Sequence, residues 1–279
     1  PTTPVKPMTA TRVKVNVSIP EAAERAAATG ADGVGLLRTE HMVLSLGKTP
    51  SKFIADHGER AYIDELVEGI QAAAEEFYPR PVRVRTLDAP TDEFRQLEGG
   101  EDEPREHNPM LGYRGIRRSL DNPKLFNHEL QAFRRVYQMG YDNVELMLPL
   151  VNDAEDVRQA RHHMEEAGID TDRRSWGIMI ETPAAALEIE SIADTGVDFV
   201  SFGTNDLSIR LQSTEIMSTS QTASMNSTHL SSASSRRQSK LVGSLISIQA
   251  SVDRQGHAQR WLISSSRQES HQSRQILMR

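Results

Sequence analysis

The sequence predicts an α/β fold, a (β/α)8 TIM-type barrel that is incomplete, with about six strand-helix units. Three observations lead there. Over the first 207 residues, short apolar runs of β type alternate with helical stretches that carry their own start and stop residues, as in a parallel sheet covered on both faces. Polar and charged residues gather directly after successive apolar runs, where barrel enzymes keep their chemistry, which favours a barrel over an open sheet. The length, 279 residues, fits one such domain. Six strands do not close an eight-stranded barrel, so exposed edges are expected on the first and sixth.

Residues 1–11, rich in Pro and Thr, read as a linker. Val13-Lys-Val-Asn-Val17 alternates as a first strand, and residues 18–30 follow as a helix with Ser18 as cap, Pro20 at its start and Gly30 as its stop. Gly33-Val-Gly-Leu-Leu-Arg38 is a second strand that delivers Arg38, Thr39, Glu40 and His41 to its C-terminal end; residues 58–77 then have helical periodicity. Pro81-Val-Arg-Val-Arg-Thr-Leu-Asp88 is a third strand, ending in Arg85 and Asp88. The polar loop over 89–106, continued by His107-Asn-Pro-Met-Leu-Gly-Tyr-Arg-Gly-Ile-Arg-Arg118, is too long for a passive connection and is expected to be functional. A helix over 123–139 closed by Gly140, a fourth strand over 143–151, and a helix opened by an Asn152/Glu155 capping box and ended by Gly168 come next. The fifth and sixth strands lie in Gly177-Ile-Met-Ile-Glu-Thr-Pro183 and Phe199-Val-Ser-Phe-Gly-Thr-Asn-Asp206. Between them a helix is capped by Thr182, starts at Pro183 and stops at Gly196, which makes a βαβ unit with Glu181 and Asp206 at the same ends of neighbouring strands.

A formal charge of −7 with no long basic run argues against a nucleic-acid surface. No apolar run is long enough to span a bilayer and no charged-then-apolar signal opens the chain, so a cytoplasmic enzyme is the expectation. There is no cysteine, which excludes disulfides, thiolate metal sites and cysteine nucleophiles.

Two carboxylates converging at strand ends suggest a hard divalent cation, and Mg²⁺ takes one or two carboxylates with water and substrate oxygens completing its shell. Glu181 and Asp206 are therefore candidate metal ligands, although either alone could as well cap the next helix. Arg38 and Arg85, each ending a strand, could close salt bridges at the barrel mouth. Facing a Mg²⁺-carboxylate pair, they fit instead a phosphorylated or dicarboxylate-like anion, whose oxygens a planar guanidinium binds in pairs. Arg114, in the Gly-Tyr-Arg-Gly turn, is a third candidate; His41 reads as packing, and His162 and His163 as solvated.

Five phrases in order, Gly35-Leu-Leu-Arg-Thr-Glu-His-Met42, Val84-Arg-Thr-Leu-Asp88, Asn108-Pro-Met-Leu-Gly-Tyr-Arg-Gly115, Ile178-Met-Ile-Glu-Thr-Pro183 and Ser201-Phe-Gly-Thr-Asn-Asp-Leu207, resemble the signatures of the C-terminal barrel of phosphoenolpyruvate-utilising enzymes. Within that family their form is most similar to the phosphoenolpyruvate synthases, with the pyruvate phosphate dikinases second. The resemblance implies that Arg38 and Arg85 hold the phosphoryl and carboxylate of phosphoenolpyruvate or pyruvate, that Glu181 and Asp206 ligate Mg²⁺, and that Gly203, Thr204 and Asn205 line the substrate pocket. It also implies a phosphohistidine on a swivelling domain and an ATP-grasp domain that charges it, neither of which is in this sequence. Neither nucleic acid nor membrane is expected as a partner; a homodimer is left open.

The composition breaks at Leu207. Of 39 acidic residues only Glu215, Asp253 and Glu269 lie beyond it, against nine of the 32 Lys and Arg; 19 serines lie there too, and none of the 13 prolines. Residues 208–279 are thus a Ser-rich tail, and such a composition suits a disordered extension. Codon logic is sharper. Read one nucleotide earlier, Met225-Asn226 gives a Glu codon, the following Ser-Thr-His permits Leu-His-Pro, and residues 251–261 permit Cys-Gly-Gln-Ala-Gly-x-Arg-Pro-Glu-Met. The family's missing words, its cysteine included, return in one frame, so the tail is expected to be a frameshifted translation.

Overall fold

The computed structural model describes residues 12–203 and 205–207. The linker reading of 1–11, the tail reading of 208–279 and Thr204 lie outside the described residues. The chain divides into two compact units, one containing the chain up to Leu150 together with Glu155–Trp176, the other Val151–Ala154 and the chain from Gly177 on.

In the first unit β1 (Val15–Val17), β2 (Val34–Arg38), β3 (Val82–Arg85) and β4 (Val144–Leu148) pair parallel, each beside its predecessor. Helices make the returns: α1 (Ala23–Ala28), α2 (Glu40–Leu44), α3 (Pro50–His57), α4 (Glu59–Phe77), α5 (Thr91–Phe94), α6 (Ile116–Asp121), α7 (Pro123–Gln138) and, after β4, α8 (Ala154–Glu166). The Leu146 N–H donates to the Ser175 carbonyl at 3.2 Å, so the chain approaches β5 (Trp176–Ile180) alongside β4. In the second unit β5 pairs parallel with β6 (Phe199–Phe202), in register from Gly177↔Phe199 to Ile180↔Phe202, and α9 (Pro183–Leu187) and α10 (Ile189–Ala193) connect them. Six parallel strands with helical returns make the chain α/β, in the succession of a (β/α)8-type barrel.

The core of the first unit follows from helical spacing. Tyr62, Leu66, Ile70, Ala73 and Phe77 recur on one face of α4, Phe126, Leu130, Phe133 and Val136 on one face of α7; these faces are buried, and the two helices pack together. Each such large apolar side chain contributes roughly 1.5–3 kcal/mol by leaving water. Glu129 is the exception on the α7 stripe, a carboxyl among apolar neighbours and itself 3 % exposed.

Several boundaries differ from the sequence expectation. The first helix opens as a 3-10 turn over Pro20–Ala22 whose N-cap is Ile19, without a side-chain cap bond from Ser18. A helix precedes the expected one over 58–77: α3 is capped by Thr49, which accepts the Lys52 N–H, and Gly58 at φ +90° turns the chain into α4. The helix after Glu181 is two short ones, broken at Glu188 by a φ,ψ of −99°, 16°. Thr182 does cap it, accepting the Ala185 N–H at 3.1 Å while its own hydroxyl donates to the Val151 carbonyl at 2.9 Å. Thr182→Ala loses the cap and strands a buried carbonyl, an expected cost of about 1–2 kcal/mol as read by the urea midpoint. Among the described residues no helix is long and apolar enough to cross a membrane.

Candidate functional site

One group of candidate residues lies in the first unit, at the C-terminal ends of β2 and β3. Arg38 and Arg85 are register partners as the last residues of these strands, which sets their backbones side by side. Their surroundings differ. Arg85 is buried, whereas Arg38 is exposed and has no ion pair among the described residues. Glu40, the first residue of α2, accepts at a single oxygen from Arg85 Nη2 at 3.1 Å and from the Asp88 N–H at 2.7 Å. Asp88, fully buried as a side chain, takes Arg114 in a fork, Nε to Oδ1 at 2.9 Å and Nη2 to Oδ2 at 2.8 Å, and lies 3.2 Å from Arg85 Nη1. The structure thus brings Arg38, Arg85 and Arg114 to neighbouring loops, two of them held by internal carboxylates.

The long loop positions Arg114. Glu106 accepts from Thr91 Oγ1 at 2.7 Å and from the Tyr113 N–H at 2.8 Å, and a Cβ on Gly112 would meet its carboxylate at 2.0 Å, so a larger residue there would push the carboxylate off these partners. Farther along, Glu103 takes both ends of the Arg118 guanidinium, which stacks over Phe94 at 4.2 Å. Behind the arginines, Glu129 Oε2 accepts the Leu87 N–H at 2.9 Å. Burial pushes the Glu129 carboxyl up to about 8, the Leu87 bond working against that shift and the charge of Glu40 adding to it.

Glu181, Gly203, Asn205 and Asp206 belong to the second unit. Glu181 follows β5, a strand buried along its whole length, and is itself 0 % exposed. The Gly203 N–H donates to the Ile180 carbonyl at 3.0 Å, and a Cβ on Gly203 would stand 2.5 Å from Glu181 Oε2. The glycine is therefore what allows β6 to end directly over that carboxylate. Asp206 does not end the strand as the sequence suggested; β6 stops at Phe202, and Asn205, Asp206 and Leu207 lie in a following helical turn, Leu207 N–H to Gly203 carbonyl at 3.0 Å. Among the described residues no group of three or more His, Asp or Glu gathers in a way that could hold a metal.

Residues 2–247 match the family model described as PEP-utilising enzyme, PEP-binding domain. The chain belongs to the PEP-utilising enzyme family. A phosphoenolpyruvate synthase from Pyrococcus furiosus is 58% identical over 201 residues, 72% of this chain and 25% of that protein. Probable phosphoenolpyruvate synthases from Methanocaldococcus jannaschii and Archaeoglobus fulgidus are 60% and 54% identical over the same number of residues, again 72% of this chain but 17% and 27% of theirs. The chain thus spans about a quarter or less of the length of these relatives. A solved HpcH/HpaI aldolase/citrate lyase family protein from Burkholderia cenocepacia is 18% identical, covering 71% of this chain and 65% of its own, with a TM-score of 0.38, a likeness too slight to bear on the site.

Among PEP-utilising enzymes, then, this chain has a strand-end arrangement whose arginines were visible in the sequence and whose counter-charges were not assigned. Glu40 and Asp88 stand within the same phrases as Arg38 and Arg85, one and two residues beyond an intervening residue, which was the available signal. For Glu129 the signal was a carboxyl on an otherwise apolar helical stripe. Glu106 had none, because its partners are set by the course of the loop.

Proposed function

We propose that the chain binds phosphoenolpyruvate or pyruvate, with Arg38 and Arg85, seconded by Arg114, taking the anionic groups and Glu181 and Asp206 holding Mg²⁺. The carrying observation is the contrast between two strand-end arginines in register, Arg85 held by Glu40 and Asp88 and Arg38 exposed without an ion pair among the described residues. An exposed guanidinium next to a buried, already oriented one suits a small anion with paired oxygens. Family membership supports the identity of that anion.

Mg²⁺ fits the residues in the second unit. The donors are oxygens only, and the bare Gly203 leaves the Glu181 carboxylate with the space that any side chain would fill. When bound, Mg²⁺ supplies positive charge for enolate and phosphoryl oxygens. Gly203, Thr204 and Asn205 would line the substrate. Arg38 and Arg85 orient the anion and offset its charge without reorganisation, because Glu40 and Asp88 already fix the Arg85 fork.

The reaction served is phosphoryl transfer between a phosphohistidine on a further domain and pyruvate, of the synthase type, with the dikinase type as the alternative. This chain by itself is a binding module rather than a catalyst, because the family's proton-transferring cysteine has no counterpart in a sequence without cysteine. The frameshift reading accounts for that loss, and sequencing the encoding DNA decides it: an alternative frame lacking the missing words would sink it. For the metal, Mn²⁺ is the probe. Paramagnetic Mn²⁺ titration is expected to show binding that is lost in Glu181→Gln and weakened about tenfold or more in Gly203→Ala, whose methyl crowds the ligand. Equal Mn²⁺ binding in all three proteins would exclude Glu181 as a ligand.

A further inference from the structure

Two consecutive amides in the turn after β3 are each held by a carboxyl group from a different helix. The Asp88 N–H donates to Glu40 of α2, and the Leu87 N–H donates to Glu129 of α7. The turn they fix is the one that carries Asp88 to Arg85 and Arg114. Glu129 touches neither arginine and is 3 % exposed, placed among Phe126, Leu130 and Phe133. A carboxyl in such surroundings is costly unless it does something an apolar residue cannot. Its hydrogen bond to a backbone amide of the arginine-bearing turn is that something.

We propose that Glu129 is a positioning residue of the anion site, fixing the Thr86–Asp88 turn through the Leu87 amide so that Asp88 presents Arg85 and Arg114 in a set geometry. The proposal rests on the reading of those arginines as the anion-binding group. At neutral pH Glu129 keeps its proton and so adds no charge beside Glu40. The groups around Glu129 agree with that state. Glu40 on α2 is the charged group that acts on it, Tyr62 on α4 packs nearby as a neutral phenol with its own ionisation pushed far up by burial and by Glu129, and from α6 and β4, also packed on α7, no charged group acts on it. A second charge at Glu129 would face Glu40 across the turn.

Thr86-Leu87 is the one Thr-Leu pair in the sequence, so carbonyl-¹³C threonine with ¹⁵N-leucine marks the Leu87 amide alone in the full chain. Its resonance is expected to titrate with a midpoint near pH 8 in the wild-type chain and to stay flat in Glu129→Gln, whose amide oxygen still accepts the bond. Phosphoenolpyruvate affinity at neutral pH is expected to survive in Glu129→Gln and to fall about tenfold in Glu129→Ala, where the amide loses its acceptor, together with faster hydrogen exchange at Leu87. A Leu87 resonance with no titration between about pH 6 and 10, or Glu129→Ala binding as tightly as wild type, would overturn the proposal. Failure of the wild-type chain to bind phosphoenolpyruvate would instead defeat the reading of the site, and the amide titration would still decide whether Glu129 holds the turn.

Discussion

Asp88→Ala is expected to destabilise the first unit by about 3–5 kcal/mol and to abolish anion binding. Two buried guanidiniums depend on this carboxylate, Arg114 through a two-bond fork and Arg85 through a single contact, and the Asp88 side chain is 0 % exposed. Its removal takes a buried counter-charge from both cations, leaving Arg85 with Glu40 alone, and a buried charge short of a partner costs more than the pair contributes when intact. Asp88→Asn keeps the shape and one acceptor, and should fall between alanine and wild type. Arg114→Ala should cost less than Asp88→Ala, because Asp88 keeps Arg85 as a partner, whereas the aspartate change takes a counter-charge from two arginines at once. Urea denaturation gives the comparison directly, and a loss below about 1 kcal/mol for Asp88→Ala would show that the cluster is solvated and not the buried network described here.

The stability difference between wild type and Glu129→Gln is expected to swing in favour of glutamine by on the order of 5 kcal/mol from acid to mildly alkaline pH. The Glu129 carboxyl is raised from 4.5 to about 8 in the folded chain. Between those two values the folded state holds a proton that the unfolded state has released. Stability contributed by the neutral carboxyl is therefore fully present below about 4.5, declines as pH rises towards about 8, and is gone above it. Glutamine does not titrate, so subtracting its curve removes every other ionisable group. A difference curve that is flat over this range would mean that Glu129 ionises in the folded chain as it does in water.

How far the sequence reached depends on the kind of feature. β2, β5 and β6 were legible because each is a short apolar run bounded by glycine or by a charged residue. The cap at Thr182 was legible because Thr-Pro before an alanine run has one local meaning. α3 was missed because Pro50 and Gly58 bracket only eight residues whose apolar positions are few, and Phe53 and Ile54 are half-buried. The break at Glu188 was missed because its surroundings are good helix formers and only the course of the chain separates α9 from α10. At the site, strand ends predicted where Arg38, Arg85 and Glu181 would stand, since strand periodicity fixes an end to within a residue or two. Asp88 stands three residues after Arg85, within the same phrase, but the pairings of Arg85 with Glu40 and of Arg114 with Asp88 span 45 and 26 positions, which local pattern does not reveal.

The central claim is that this member of the PEP-utilising enzymes binds a phosphorylated keto-acid enol through its strand-end arginines with help from a divalent cation. Isothermal titration of phosphoenolpyruvate into the chain, in Mg²⁺ and again after chelation, tests it most directly. Saturable binding in Mg²⁺ is expected, weakened about tenfold or more by chelation and by Arg38→Ala, each of which removes positive charge from the anion's surroundings. Phosphoenolpyruvate binding that is indifferent to both Mg²⁺ and Arg38, or no binding by a folded chain, would contradict it.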